Sequence, residues 1–353
     1  MTRLKYLLKR VLLSIPVVWF GTSMTWFIIF MGPVDPASRL LSEGQVRNPA
    51  AYRAAQEQLG LNEPPLEHYV SYLVDLYTFD LGRTFLLYQG SNVNALIMDF
   101  LPRTLWLGFW SVAIAVCVGV PLGFYAGLRS NTGADYLASL GGIVWRAMPN
   151  FWLAIMLLAL LGSTESLVGF DWENWVVDLD ALSGSPELGY LSGPLLAGDG
   201  LFNFVLEPEK TLTAFKKVLP AALVLGSASM GNEMRIGRTA VLEVKNEDFV
   251  DMAKAKGVSD RVLVWKHVLR NALVPLVPII TSEAFLLIGG SVLVETVFAI
   301  NGIGKLFVDA AISGDLPLVG ALMYVFILMI VGINLVQDLL YTVIDPRVGL
   351  EGA

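Results

Sequence analysis

Charge is scarce in this chain. Only 16% of its 353 residues are Asp, Glu, Lys or Arg, whereas a soluble domain carries about 25%. Cysteine is scarcer still. Cys117 is the sole thiol, so no disulfide can close within the chain. His68 and His267 are the only histidines and fall in different segments, which excludes a local histidine metal site. A Gly-x-x-x-x-Gly-Lys-[Ser/Thr] phosphate loop is also missing, and Ile303-Gly304-Lys305 only echoes it. The chain is therefore not itself a P-loop ATPase. These absences argue against an ordinary soluble enzyme and against a disulfide-stapled secreted domain.

Apolar residues are abundant. They make up 55% of the chain, and the mean hydropathy is +0.62. Three long runs carry no charge: Val11 to Val34 (24 residues), Thr104 to Leu128 (25) and Leu316 to Gln337 (22). A bilayer-spanning helix needs about 20 mostly apolar residues. Three further segments are apolar with one or two charges each. They are Tyr136 to Gly162 with Arg146, Val218 to Gly237 with Glu233 and Arg235, and Pro275 to Phe298 with Glu283 and Glu295. The expected fold is all-α: a polytopic membrane protein with six transmembrane helices. The first run exceeds the 7–15 residues of a signal h-region. It ends in Gly32-Pro33-Val34-Asp35-Pro36 without an Ala-x-Ala site, so a retained first helix is expected.

Lys and Arg orient the chain. With both termini in the cytosol, the inside segments 1–10, 128–136, 234–274 and 342–353 hold 14 of the 24 Lys and Arg in 72 residues. The outside segments 32–103, 163–217 and 299–318 hold 9 in 147. That is the positive-inside bias. Segment 32–103 shows helical periodicity in Tyr52, Ala55 and Leu59, then in Leu66, Tyr69, Val70, Leu73 and Leu76. It reads as an external helical region between the first helix (1–31) and the pair of spans in 104–162. Segment 163–217 is rich in Gly, Ser, Asp and Glu, with Trp172 and Trp175. It reads as an external insertion with one short helix near Thr211 to Lys217. Spans four to six and their cytosolic loop occupy 218–353.

That loop, 238–274, carries the sharpest local signal. Asn246 suits an N-cap, and Glu247 and Asp248 fill a first turn. Lys254 and Lys256 fill the last turn, and Gly257 fits the following position. A short helix from about 247 to 256 is expected, with Phe249, Met252 and Ala253 on one face. Ser259 caps a second helix. Two occupants suit the apolar face: the groove of a partner or the membrane surface.

The residues Asp251-Met252-Ala253-Lys254-Ala255-Lys256-Gly257, followed by His267-Val268-Leu269-Arg270-Asn271-Ala272-Leu273-Val274-Pro275, resemble the cytoplasmic loop motif of ABC importer permeases. The motif's short form is Glu-Ala-Ala, three residues, Gly. Asp251 and Met252 replace its first two positions; Ala253 and Gly257 fit. The wording resembles the dipeptide/oligopeptide/nickel branch, and the likeness extends along the chain. Leu59-Gly60-Leu61-Asn62, Asp80-Leu81-Gly82-Arg83, Pro149-Asn150-Phe151-Trp152, Val294-Glu295-Thr296-Val297-Phe298, Asn301-Gly302-Ile303-Gly304 and Asp345-Pro346-Arg347 all resemble elements of that branch. The external region is similar to that of the first of the two paired membrane subunits. The 163–217 insertion departs from the pattern.

The resemblance implies a permease subunit in the cell membrane, not an enzyme, forming half of a path for peptides or similar solutes such as nickel complexes or oligosaccharides. Its implied partners are a homologous second permease, two cytosolic ATPases that bind ATP and Mg, and an external substrate-binding protein. The bilayer is a further partner; nucleic acid is not. Phe249, Asp251, Met252, Ala253 and Gly257 are then expected at the ATPase contact. Trp172, Trp175, Asn301, Gly302 and Gly304 are expected on the outer face near the receptor, although a plain connector fits the glycine loop equally well. Intramembrane charges usually face a bundle interior or a watery cavity. Arg146 and Glu283 fall at similar depths, roughly 15 and 12 Å from the cytosolic end at about 1.5 Å per residue. With Glu233 they are expected to line the inner half of the path or its gate; a structural ion pair is the alternative. At the level of function, the alternative is a self-sufficient secondary transporter or channel, which would favour inverted repeats that are not evident here. An intramembrane enzyme lacks support, because no span holds a histidine and Cys117 has no evident base.

Overall fold

A computed structural model describes residues 3–32, 35–39, 41, 48–172, 208–273, 276 and 291–344. Among the described residues the secondary structure is helical, apart from one isolated antiparallel bridge between Arg83 and Asn92. In chain order the helices are α1 (Arg3–Phe30), α2 (Pro36–Arg39), α3 (Pro49–Gln58), α4 (Pro65–Tyr77), α5 (Val93–Leu128), α6 (Gly133–Arg146), α7 (Asn150–Gly162), α8 (Thr164–Val168), α9 (Pro208–Lys245), α10 (Asp248–Ala255), α11 (260–272), α12 (Ile303–Ser313) and α13 (Leu316–Ile344).

Three of these are long and apolar enough to cross a bilayer: Leu8–Phe30, Val93–Leu128 and Leu316–Leu340. They contain most of the three uncharged runs, and the chain is an all-α polytopic membrane protein. The boundaries differ from a charge-free count. α5 starts at Val93, eleven residues before Thr104, because the Asn92 side chain accepts from the Ala95 N–H and caps it. Asp99 and Arg103 therefore ride inside the helix. Its middle, Ala115–Gly119, widens to π geometry.

The third apolar segment is not one straight span. α6 and α7 meet at 99° across a short break. Pro149 explains the break. It has no amide hydrogen to donate and disfavours α geometry in Met148, so α6 ends before it and α7 begins at Asn150. The fourth segment also differs from expectation. Thr211 to Lys217 is no separate short helix but the first part of α9, which runs unbroken through Pro220 to Lys245. Of the fifth segment, the structure describes 276 and the helical residues 291–297 with their following turn.

α9 lies along α5. Gly119, Gly123 and Gly127 recur every fourth residue on the facing side of α5. A Cβ added to Gly127 would sit 2.8 Å from Val241 Cβ, and one on Gly123 would sit 2.9 Å from Met234 Cα. Small residues at this spacing let two backbones meet, which is how helices associate where water supplies no driving force. α6 crosses α9 on another side, where Gly142 and Gly231 meet backbone to backbone. Trp106, Leu107, Leu153, Val218, Leu225 and Phe298 fill a core where α5, α7 and the first half of α9 meet.

α1 and α13 form an antiparallel pair. Arg10 meets Asp338 at 3.3 Å, Gly21 faces Ile327, and Ile29 faces Gly320. The first turns of α13 pack with the start of α5 and with α12 through Ile97, Phe100, Leu306 and Leu322. The finish of α13 and the start of α1 therefore lie at the opposite end of the bundle, the end that carries α10. α4 leans on the last turns of α1. Trp26 Nε1 donates to His68 Nδ1 at 3.0 Å, and Ser23 and Tyr69 share a hydroxyl contact at 2.7 Å.

Candidate functional site

α10 is built to stop sharply. Glu247 is its N-cap, one residue later than Asn246, which lies in the preceding turn; Asp248 and Asp251 supply first-turn acid. At the other end Gly257 takes φ +77°, its N–H donates to Lys254 O at 2.9 Å, and the Val258 N–H donates to Ala253 O at 3.2 Å. Those two bonds and the left-handed glycine make a Schellman stop. α11 follows from Ser259, and Leu263–Val268 within it takes π geometry.

The helix has two distinct faces. Val250 is 0% exposed and Ala253 8%. Both are sunk in a cluster with Phe124, Val241, Leu263 and Leu269, drawn from α5, α9 and α11. Phe249 is 39% and Met252 57% exposed. Ala253 therefore belongs to the inward face with Val250, not to the outward surface of Phe249 and Met252. Asp251 also points outward and takes Lys254 Nζ at 2.9 Å. Gly257 is open: among the described residues nothing packs within 4 Å of where its Cβ would be. Nearby, Asp135 at the start of α6 takes both Arg238 Nε (2.6 Å) and Nη2 (2.8 Å), a bidentate pair that ties α6 to α9.

A polar seam lies between α6 and α9. Arg146 Nη1 donates to Asn232 Oδ1 at 2.8 Å, and Arg235 Nη2 reaches the same oxygen at 3.2 Å. A pocket of about 300 Å³ opens there, lined by Arg146, Arg235, Gly142, Gly231, Ile143 and Met234 among others. Glu233 does not line it. That side chain is buried and turned toward α5, where a Cβ on Gly119 would come within 2.8 Å of its Oε2. The structure thus separates Arg146 and Glu233 onto different sides of α9. Glu283 lies outside the described residues.

At the far end, Asn301, Gly302 and Gly304 lead into α12. Gly302 and Gly304 are buried, and the space of a side chain at either is taken by Glu295, with Thr104 also crowding Gly302. Thr104 Oγ1 donates to Glu295 Oε1 at 2.8 Å and accepts from the Ile303 N–H at 2.9 Å. The Lys305 N–H donates to Glu295 Oε2 at 2.9 Å. The glycines serve this close packing of loop on α5, and only Asn301 of the three keeps a partly exposed side chain. Trp172 is half-buried at the end of the segment after α8; Trp175 lies outside the described residues. Among the described residues no group of three His, Cys, Asp or Glu is placed to hold a metal ion.

Sequence reasoning missed several of these features. The four-residue glycine spacing of α5 was legible as a helix-contact signal. Asn232, uncharged within an apolar segment, gave none. Asp315 gave none either. It is fully buried before α13, and its Oδ2 accepts the N–H groups of Phe85, Leu86 and Leu87 at 2.9, 2.8 and 3.1 Å.

Residues 119–350 match the family model described as binding-protein-dependent transport system inner membrane component, and residues 3–108 match the N-terminal model of the same kind of membrane component. The chain belongs to this family. The permease is 32% identical to the dipeptide transport system permease protein DppB of Alkalihalophilus pseudofirmus, over 98% of this chain and 99% of that one. It is 30% identical to the oligopeptide transport system permease protein AppB of Bacillus subtilis (97% and 98% covered) and 30% identical to DppB of Escherichia coli (98% of each). The permease is thus a membrane subunit of an ABC importer, in the dipeptide/oligopeptide branch, and a transport component rather than an enzyme. Nothing in these likenesses supports a self-sufficient secondary transporter or channel.

Proposed function

We propose that this permease, the first of a pair, forms half of a path for peptides. A homologous second permease forms the other half, two cytosolic ATPases hold ATP and Mg, and an external binding protein delivers the cargo. The names of the relatives support peptides as the cargo class. The full arrangement has six spans, with both termini and the α10 loop in the cytosol; the concentration of Lys and Arg in the inside segments supports that orientation.

The observation that carries the coupling role is the two-faced packing of α10. Val250 and Ala253 hold it to α5, α9 and α11, while Phe249, Asp251 and Met252 stand outward. A helix fixed on one side and apolar on the other suits a groove in a partner better than a lipid surface, because its inner face is packed on two long helices that a push from a partner would move. ATPase closure would push α10, and the push would reach α6 through Asp135 and Arg238. The Arg146–Asn232–Arg235 seam, with Glu283, is assigned to the inner half of the path or its gate; Glu233, buried against α5, is assigned to helix packing behind it. Receptor docking is assigned to Trp172, Trp175 and Asn301, with Gly302 and Gly304 shaping the loop beneath.

The test is reconstitution. The assembled complex in proteoliposomes should take up labelled peptide only with ATP and binding protein. Phe249→Ala with Met252→Ala should insert normally yet retain about tenfold less ATPase, the scale of losing apolar anchors from a groove. Peptide uptake by this chain alone, driven by an ion gradient, would refute the reading.

A further inference from the structure

The α1–α13 face carries a groove that the transport reading does not use. Its first part, about 360 Å³, is lined by Arg10, Ser14, Asn334, Gln337 and Asp338 with Leu13 and Leu335. Its second part, about 420 Å³, is wholly apolar in its lining: Pro16, Val17, Phe20, Gly21, Ile327, Ile330 and Val331. Val17 and Val331 line both parts, so the two are one continuous furrow. The polar residues sit at one end only. On α1 the furrow runs from Arg10 to Gly21, and on α13 from Asp338 to Ile327. At about 1.5 Å per residue each path is roughly 16 Å long. Half of a hydrocarbon core about 30 Å thick is roughly 15 Å. The furrow therefore has the length of one leaflet, with its polar end at headgroup level and its apolar end near the midplane.

We propose that this furrow binds one glycerophospholipid with a primary-ammonium headgroup, of the phosphatidylethanolamine class. Charge complementarity selects the class. The polar end pairs one cation with one anion, Arg10 Nε lying 3.3 Å from Asp338 Oδ2. Among the described lining residues the charges balance, which matches a zwitterion. The lipid phosphate meets Arg10 and the amides of Asn334 and Gln337, and its ammonium meets Asp338. A choline headgroup lacks N–H donors for Asp338. A glycerol headgroup would set a net anion beside Asp338 with no ammonium to answer it. One acyl chain lies between Phe20 and Ile330. Gly21 lets α13 close behind it, since a Cβ there would meet Ile327 Cδ1 at 2.9 Å. The inference needs only that the chain spans a bilayer, and it is independent of cargo and of topology.

The test places the assembled complex in nanodiscs of equal phosphatidylethanolamine, phosphatidylcholine and phosphatidylglycerol. Native mass spectrometry after detergent transfer then reads the retained lipid. Phosphatidylethanolamine should be retained over both others. Arg10→Gln, at the polar end, and Val331→Trp, which fills the apolar part and leaves the ion pair intact, should each cut its retention about tenfold, the scale of one charge-assisted contact or one lost chain site. Asp338→Asn should erase the preference over phosphatidylcholine. Preferential retention of phosphatidylglycerol would overturn the proposal, as would retention unchanged in both Arg10→Gln and Val331→Trp. So would absence of any retained lipid, or a photocrosslinker at Leu13 that captures the second permease instead of lipid.

Discussion

Two single residues control more than their size suggests. Gly257 holds φ +77° with open space around it. Gly257→Ala should cost about 1 kcal/mol, because the left-handed region penalises a Cβ, and should leave coupling largely intact. Gly257→Trp should show a similar loss of stability, since no described residue lies within 4 Å of the added Cβ, yet should abolish ATPase capture by blocking the surface beside α10. A thermal melt of the purified chain and a capture assay separate the two effects; full capture by Gly257→Trp would remove Gly257 from the contact. Asp315 is the second. Its carboxylate accepts three successive N–H groups from 85–87 and also faces the Leu318 N–H at 3.4 Å at the start of α13. Asp315→Ala should strand three part-buried donors at once and cost about 3 kcal/mol. Asp315→Asn should cost less, about 1–2 kcal/mol, since one amide oxygen still accepts but without charge. Limited proteolysis within 79–92 is the direct readout, and it should accelerate most in the alanine variant. Gly257 was legible in the sequence because a helix stop is a local pattern. Asp315 was not, because its partners lie some 230 positions away.

Among the elements, the α5–α9 crossing is the most exacting. Gly123→Leu should force the helices apart, since even a Cβ there collides with Met234 backbone. The expected outcome is a chain that inserts but fails to yield a monodisperse complex. Gly133→Ala, at the first position of α6 with nothing within 4 Å, should be neutral or slightly stabilising. Size-exclusion profiles of the two variants make the comparison, and equal profiles would deny the close-contact role. The elements also show the limits of reading hydropathy. A 27-residue apolar segment, Tyr136 to Gly162, looks like one span by composition. Pro149 breaks it, and the resulting 99° turn sets Arg146 at the corner beside Asn232. The proline was visible in the sequence, but whether a span kinks or divides depends on what packs beside it. α10 was legible almost residue by residue from its first-turn acids and its terminal glycine. Which of its apolar residues face inward was not, since Phe249 and Ala253 share a helix side by spacing and differ only in what lies across from them.

For the whole molecule, orientation is the decisive property. With Cys117 replaced by Ala, a cysteine at Asp251 should react with a membrane-impermeant thiol reagent only in inside-out vesicles. A cysteine at Ser91, on the loop held by Thr84, should react only in intact cells. The reverse pattern would invert the topology and move α10 away from any cytosolic ATPase. Both positions carry exposed or partly exposed side chains within the chain, so lack of labelling from both sides would point to cover by a partner subunit instead.

Composition and spacing alone determined that the chain is helical, that it lies in a membrane, and that its loop at 248–257 is a compact helix with a glycine stop. These are consequences of local chemistry: runs of uncharged residues, capping positions, and one residue type that tolerates positive φ. The tertiary structure decided the rest. It turned Ala253 inward, set Glu233 against α5 instead of beside Arg146, and buried Gly302 and Gly304 under Glu295. It also drew Asp315 to the amides of 85–87 and aligned α1 with α13 into a leaflet-length furrow. Each of these depends on which helices approach closely enough to touch. The glycine spacing of α5 marks a contact face, but which segment packs on that face is settled by side-chain volume between segments far apart in the chain, which no local pattern records.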